Sequence, residues 1–260
     1  MKRILITNDD GLYSPGLELL YNAVRDLGEA YVIVPETPKS ASGLGITLHK
    51  PLRINEVKFE DTRAFLINGT PSDIIYMALK TITGPVDLVV SGVNIGDNTS
   101  IQVILSSGTV GAAAQAALEG IPAVAFSVAV VKGEALFSDR KFYESIKKCI
   151  KEIVYEILEN GFPSGIDILN VNFPDSPSYE VKVARPARVR FVNIVEKRID
   201  PRGGVYYWLY GEPVKPEKGT DVYVVLVEKK VALTPISLNF YIIDHRNVIS
   251  FVNRVNERLR

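Results

Sequence analysis

Two carboxylates stand side by side in Asn8-Asp9-Asp10-Gly11, directly after the apolar run Ile4-Leu5-Ile6-Thr7. Adjacent negative charges repel, and at the edge of an α/β sheet the usual counter-charge is a divalent cation. On these four residues alone a solvated Asp-Gly turn is the simpler reading, so the choice rests on what else the chain brings to the same place. Three further loops are rich in small polar residues: 35–43, which contains Ser40; Asn68-Gly69-Thr70; and 91–98, which contains Asn94 and Asn98. Carboxylate, hydroxyl and amide oxygens suit a hard cation such as Mg²⁺ or Mn²⁺ better than a structural zinc, and neither His49 nor Cys149 falls in a cluster. Ser106-Ser107-Gly108-Thr109 precedes a helix of small residues, Thr109–Leu118. Free N–H groups at a helix start, with hydroxyls and a glycine that admits close approach, suit an anion; plain N-capping by Thr109 is the simpler alternative. A cation site and an anion site on one rim suggest a phosphate ester held between them.

Such a rim needs strands that end together. The first half alternates strand-like and helix-like segments: strands at Ile4–Thr7, Tyr31–Val34, Leu52–Val57, Ala64–Ile67, Leu88–Val90 and Ala123–Val128. The strands Leu52–Val57 and Ala64–Ile67 suit an antiparallel pair. One helix begins at Ser14-Pro15 and is stopped by Gly28; another follows the capping pattern Thr70-Pro71-Ser72-Asp73 and runs to Gly84-Pro85. This alternation predicts an α/β fold with a mostly parallel, three-layer sheet, in which ligands bind outside the carboxyl ends of the strands. The second half offers an amphipathic helix, Tyr143–Leu158, and a strand, Ile168–Phe173. Beyond Pro174 the pattern becomes hairpin-like over Val181–Val195, with a Pro-Arg-Gly-Gly turn before Val205–Tyr210. Strands at Val222–Val227 and Val231–Thr234 and a terminal helix, His245–Leu259, complete it. The chain reads as one domain, 1–260, with a core over 1–175 and a β-rich extension with the terminal helix over 176–260.

Lys plus Arg and Asp plus Glu each count 30, so no global field draws nucleic acid or an anionic membrane. The single Cys149 excludes an internal disulfide and suits a reducing compartment. The N-terminal apolar run is too short for a signal-peptide core, and the longest apolar stretch, Ile121 to Val131, reads as a buried strand, so a cytoplasmic protein is expected. Several residues take structural readings. His49 reads as a surface strand residue, His245 as structural, and Cys149 as a packed or half-exposed thiol. Arg185, Arg188 and Arg190 read as the solvated face of a hairpin, and Tyr206, Tyr207 and Trp208 as packing for the extension or a subunit contact.

Taken in order, Asn8-Asp9-Asp10-Gly11 with Pro15-Gly16, Ser40 after Pro35, Gly69-Thr70-Pro71-Ser72-Asp73, Ser91-Gly92-Val93-Asn94-Ile95-Gly96-Asp97-Asn98 and Ser107-Gly108-Thr109-Val110 resemble the SurE (survival protein E) nucleotidases. Leu169-Asn170-Val171-Asn172-Phe173-Pro174, Gly219-Thr220-Asp221 and Thr234-Pro235-Ile236 are similar to later landmarks of that family. The resemblance implies a Rossmann-like core with a C-terminal β-hairpin extension and terminal helix. It implies a divalent-metal phosphatase acting on nucleoside 5′- and 3′-monophosphates, with some members attacking polyphosphate or generic phosphomonoesters. One Mg²⁺ or Mn²⁺ per subunit would fall on Asp9, Asp10, Ser40 and Asn94, and the substrate side on Asn98, Ser106, Ser107, Gly108 and Thr109. It also implies a homodimer or homotetramer joined partly by exchanged C-terminal segments. Two positions depart from the family: Ser106, where many members have tyrosine, and Ser40-Ala41, where many have Ser-Gly. Both bear on nucleotide preference.

The expected reaction is phosphomonoester hydrolysis by a metal-assisted water, with Asp9 and Asp10 sharing the ligand and water-orienting roles in an order the sequence leaves open. A broad-specificity acid phosphatase or exopolyphosphatase is the near alternative. Aspartyl-phosphate chemistry of the haloacid dehalogenase kind wants Asp-x-Asp, not an adjacent pair. A non-catalytic nucleotide sensor on the same rim is the alternative from outside enzymology. An NAD-dependent oxidoreductase lacks its Gly-x-Gly-x-x-Gly after the first strand.

Overall fold

Residues of the first strand sort by parity. In a computed structural model, which describes residues 1–130, 138–240 and 246–259, Ile4 and Ile6 of β1 (Arg3–Thr7) face α1 (Pro15–Val24) and α5 (Arg140–Asn160), packing with Leu17, Leu20, Ile146 and Ile150. Leu5 points the other way, onto Ile74 and Ile75 of α2 (Pro71–Met77) and the alanines of α4 (Gly108–Leu118). The same alternation runs through β2 (Glu29–Pro35), β5 (Leu88–Ile95), β6 (Ala123–Val128) and β7 (Ile168–Phe173), so the sheet is buried on both faces. This is the expected three-layer α/β core.

With β3 (Ile54–Phe59), β4 (Thr62–Ile67), β8 (Val181–Val183) and β11 (Val231–Ile236), the sheet has nine strands in the order β3-β4-β2-β1-β5-β6-β7-β11-β8. All neighbours are parallel except β3 with β4 and β11 with β7. Thr70 forms its capping box with Asp73, and α2 runs on through a π-helical turn, Ala78–Ile82. Pro15-Gly16 also acquires a physical reason: a Cβ on Gly16 would stand 1.8 Å from the carbonyl oxygen of Val93, so α1 lies on β5 only because glycine is there.

Several expectations are corrected. Ser91–Ile95 is strand rather than loop, because it stays paired with β6 across a register shift between Ser91 and Asn94. The alternation over Val181–Val195 is not one hairpin: β8 joins the main sheet beside β11, and the hairpin is β9 (Phe191–Ile199) with β10 (Val205–Pro213), turning at the expected Pro201-Arg202-Gly203-Gly204. Val222–Val227, rich in β-branched residues, is mostly the helix α6 (Asp221–Leu226), because the Thr220 hydroxyl accepts the Tyr223 N–H and caps it. A short helix, α3 (Ser100–Ser106), precedes α4. The first helix ends at Val24 rather than Gly28, and Ser14 holds its N-cap position without a side-chain cap bond. His49 lies on an exposed bend, not a strand, and Cys149 is buried on α5. Arg190 is buried rather than solvated: it pairs with Asp97 at 3.5 Å and lies over the Phe191 ring. His245 and Val131 lie outside the described residues.

The hairpin and the final helix, α7 (Arg246–Leu259), leave apolar side chains exposed. Val195 opposite Leu209 and Ile199 opposite Val205 form an exposed apolar hairpin face. Val248, Val252, Val255 and Leu259 form a stripe along α7, of which no described residue is buried.

Candidate active site

Asn8 closes the turn after β1: its side chain accepts the Gly11 N–H at 3.0 Å and donates to the Gly11 carbonyl at 2.9 Å. Gly11 has φ +89°, the left-handed region that favours glycine, and the turn lifts Asp9 and Asp10 onto the carboxyl rim. Asp9 is buried, and its Oδ1 accepts a 2.6 Å hydrogen bond from the Thr109 hydroxyl. Its backbone carbonyl accepts the Lys39 N–H at 2.7 Å, which ties the loop after β2 to the rim. Burial raises the Asp9 pKa, while the Thr109 hydroxyl and the backbone N–H groups of Thr109 and Gly108 work against that rise. Asp10 is half-buried, and burial together with the charge of Asp9 pushes its carboxyl up to about 6, opposed by the Ile95 N–H. Its Oδ2 is a buried oxygen with no partner among the described residues.

Asn94 comes from β5, the strand beside β1; its Nδ2 donates to the Gly96 carbonyl at 2.8 Å, which leaves Oδ1 for another partner. Ser40 lies on an exposed turn, one residue beyond the Lys39 anchor. The same loop is pinned to the helices, because Gly43 N–H donates to the Ser106 carbonyl at 3.0 Å and a Cβ on Gly111 would meet the Gly43 carbonyl oxygen at 2.1 Å. Ala41, which stands where the resemblance expects glycine, adopts φ +57°.

At the α4 start the cap is Ser107, whose hydroxyl accepts the Val110 N–H at 3.1 Å; Thr109 is not the cap. Gly108 is closely walled, since a Cβ there would lie 2.8 Å from Asp9 Oδ2 and 2.7 Å from the Ser42 Oγ. The structure therefore brings together Asp9, Gly108 and Thr109, and sets Asp10 against Ile95 at the end of β5, next to Asn94. Asn98 turns inward: it donates to the Ser127 hydroxyl at 2.8 Å and to Asn172 Oδ1 at 2.7 Å, and its carbonyl accepts the Asn170 amide at 2.9 Å. The exposed Ser106 hydroxyl donates to the Val103 carbonyl of its own helix at 3.1 Å.

Residues outside the expected site set hold these groups in place. Ser42 presses against Gly108, and its buried Oγ lacks a partner among the described residues. Gln102 of α3 accepts the Arg190 and Phe191 N–H groups, each at 2.9 Å, and so joins α3 to the hairpin. Asp221 accepts the Ser100 N–H at 2.8 Å and the Ala187 N–H at 2.9 Å, fixing the start of α3. The Gly219-Thr220-Asp221 motif was the only signal in the sequence for this last contact.

Among the described residues no group of three or more His, Cys, Asp and Glu side chains is placed to hold a metal. The rim instead offers two carboxylates with amide and hydroxyl oxygens. Asp10 Oδ2, buried and unpartnered, fits a hard cation, which tolerates neutral oxygen donors and needs no third carboxylate.

A family model described as "Survival protein SurE" matches residues 4–193. A 5′-nucleotidase SurE from Hyperthermus butylicus is 59% identical over 240 residues, covering 91% of this chain and 85% of that protein. A 5′-nucleotidase SurE from Thermofilum pendens is 53% identical over 258 residues, covering 99% of each. The crystal structure of a SurE protein from Aquifex aeolicus matches with a TM-score of 0.79 at 32% identity, covering 96% of this chain and 99% of that one.

Proposed function

The chain belongs to the survival protein SurE family, and we propose that it is a 5′-nucleotidase that releases phosphate from nucleoside 5′-monophosphates, and from 3′-monophosphates, with one Mg²⁺ or Mn²⁺ per subunit. The observation that carries the metal-dependent part of this reading is Asp10 Oδ2, a buried, unpartnered carboxylate oxygen beside the charge of Asp9. Asp9, Asp10, Ser40 and Asn94 are the residues that would hold the ion. When bound, it neutralises charge on the phosphoryl oxygens and lowers the pKa of a coordinated water.

The chain's own part is positioning. Asn8 and Gly11 shape the turn that carries both carboxylates, and Lys39 anchors the Ser40 loop to Asp9. Ser107 and Gly108 open α4 beside Asp9 and are the candidates for the phosphoryl oxygens on the substrate side. Asn98 supports the rim from beneath through Ser127, Asn170 and Asn172. In the balanced reaction water attacks phosphorus, the ester oxygen leaves with a proton as the nucleoside hydroxyl, and inorganic phosphate is released.

Phosphate release from a panel of nucleotides, polyphosphate and p-nitrophenyl phosphate, with chelator and with added Mg²⁺ or Mn²⁺, tests this. The expected result is metal-dependent release, preferring mononucleotides, that Asp9→Asn abolishes while circular dichroism stays native. Near-normal turnover of that variant, or turnover indifferent to chelator, rejects the metal-dependent reading. Mononucleotide binding without release under any metal or pH makes the protein a sensor instead.

The proposal extends to assembly and location. The exposed apolar residues of α7 and the hairpin support a homodimer or homotetramer, with 1–260 acting as one domain and 176–260 supplying the contacts. No single described helix is long and apolar enough to cross a membrane, and the single cysteine accords with a cytoplasmic protein.

A further inference from the structure

Resting on the metal-dependent reading above, we propose that Thr109 is a positioning residue that acts on the reaction through Asp9, and is not a ligand of the substrate phosphate. Its hydroxyl has one hydrogen to donate, and that hydrogen lies on Asp9 Oδ1 at 2.6 Å. Both residues are buried, Thr109 completely. The hydroxyl is therefore engaged by Asp9 and closed off from solvent. Gly108 closes the other side of the same carboxylate, since a Cβ there would lie 2.8 Å from Asp9 Oδ2.

The consequence is a division of labour at the start of α4. Ser107 caps the helix through Val110, Gly108 gives room for the carboxylate, and Thr109 fixes its rotation. With Oδ1 held by Thr109 and Gly108 lying close to Oδ2, the Asp9 carboxylate is fixed on both sides, in the orientation from which it would meet a cation. Among the described residues Asp10 Oδ2 has no hydrogen-bond partner. Partners that orient a metal ligand typically change metal affinity about 10–100-fold when removed.

The test separates the two roles of Thr109 by what each would weaken. Thr109→Val keeps the shape and removes the donor. The expected result is Mn²⁺ affinity of the metal-free protein, by titration calorimetry, reduced about tenfold or more, with the KM for AMP unchanged at saturating Mn²⁺. Thr109→Ser, which keeps the donor, restores wild-type Mn²⁺ affinity. A raised KM with Mn²⁺ affinity within twofold of wild type overturns the proposal and makes Thr109 a phosphate ligand. Failure of Thr109→Ser to restore affinity overturns it as well. If Thr109→Val does not fold, Thr109→Ala carries the same comparison. Wild-type protein that binds no Mn²⁺ overturns the metal-dependent reading, and the proposal falls with it, which sets that failure apart from the others.

Discussion

At Asp10, burial and the neighbouring charge of Asp9 hold the carboxyl at about 6, against an ordinary value of 3.8. An acid whose pKa is higher in the folded protein than in the unfolded chain binds its proton more tightly when folded. Its contribution to stability is therefore complete below about 4 and is lost as pH rises through about 6. The metal-free protein should lose thermal stability over that interval. A cation should reverse the loss, because it binds the folded state and competes with the proton. Thermal unfolding at pH 5 and pH 7, with and without Mn²⁺, is expected to show the larger metal-induced rise in Tm at pH 7; equal rises would contradict the role given to Asp10. The oxygen-donor character of this rim was legible in Asp9, Asp10, Ser40 and Asn94, because residue type alone decides it. In the sequence Thr109 reads as a helix-start residue on the substrate side, not as a partner of Asp9. Its true partner lies 100 positions away, and no spacing rule reaches that far.

Between elements, α4 lies close against the loop carrying Ser40, where Gly111 faces the Gly43 backbone. Gly111→Ala would gain about 1 kcal/mol in helix propensity, but its Cβ would stand 2.1 Å from the Gly43 carbonyl oxygen and would displace the loop at a cost of about 1–3 kcal/mol. The expected outcome is a modest change in Tm with turnover reduced about 10–100-fold, measured by calorimetry and by phosphate release. Turnover at the wild-type level would mean that the loop carries no part of the site. Elements whose patterns are local were legible: β1, β2, α2 with its capping box, and α5 with its isoleucine stripe. Those decided by distant partners were not. One miss was local: Val222–Val225 is β-branched and aromatic, yet the adjacent Thr220 and Asp221 bind backbone N–H groups and turn it into α6. Ser91–Ile95 looks like a loop by composition, yet pairing with β6 keeps it in the sheet. Arg190 looks solvated in a basic run, and only the fold shows Asp97 waiting for it.

At the scale of the molecule, two elements lack the packing that elements of their kind require. A 14-residue helix such as α7 is marginal on its own in water, and none of its described residues is buried. The hairpin likewise exposes Val195, Leu209, Ile199 and Val205 on one face. Light scattering on the full chain should give more than one subunit, and deletion of residues 241–260 should lower that number; a full-length monomer would remove the assembly role from both elements. The sheet order has a further consequence, concerning time. β1 lies between β2 and β5, yet it is the first strand to be made. Asp9 and Thr109 are 100 residues apart, so at about 5–20 residues per second the carboxylate is synthesised about 5–20 s before the hydroxyl that orients it. For most of that interval β5, which begins at Leu88 and closes the second edge of β1, is also unmade, and the turn after β1 is held only by Asn8 and by the Lys39 loop.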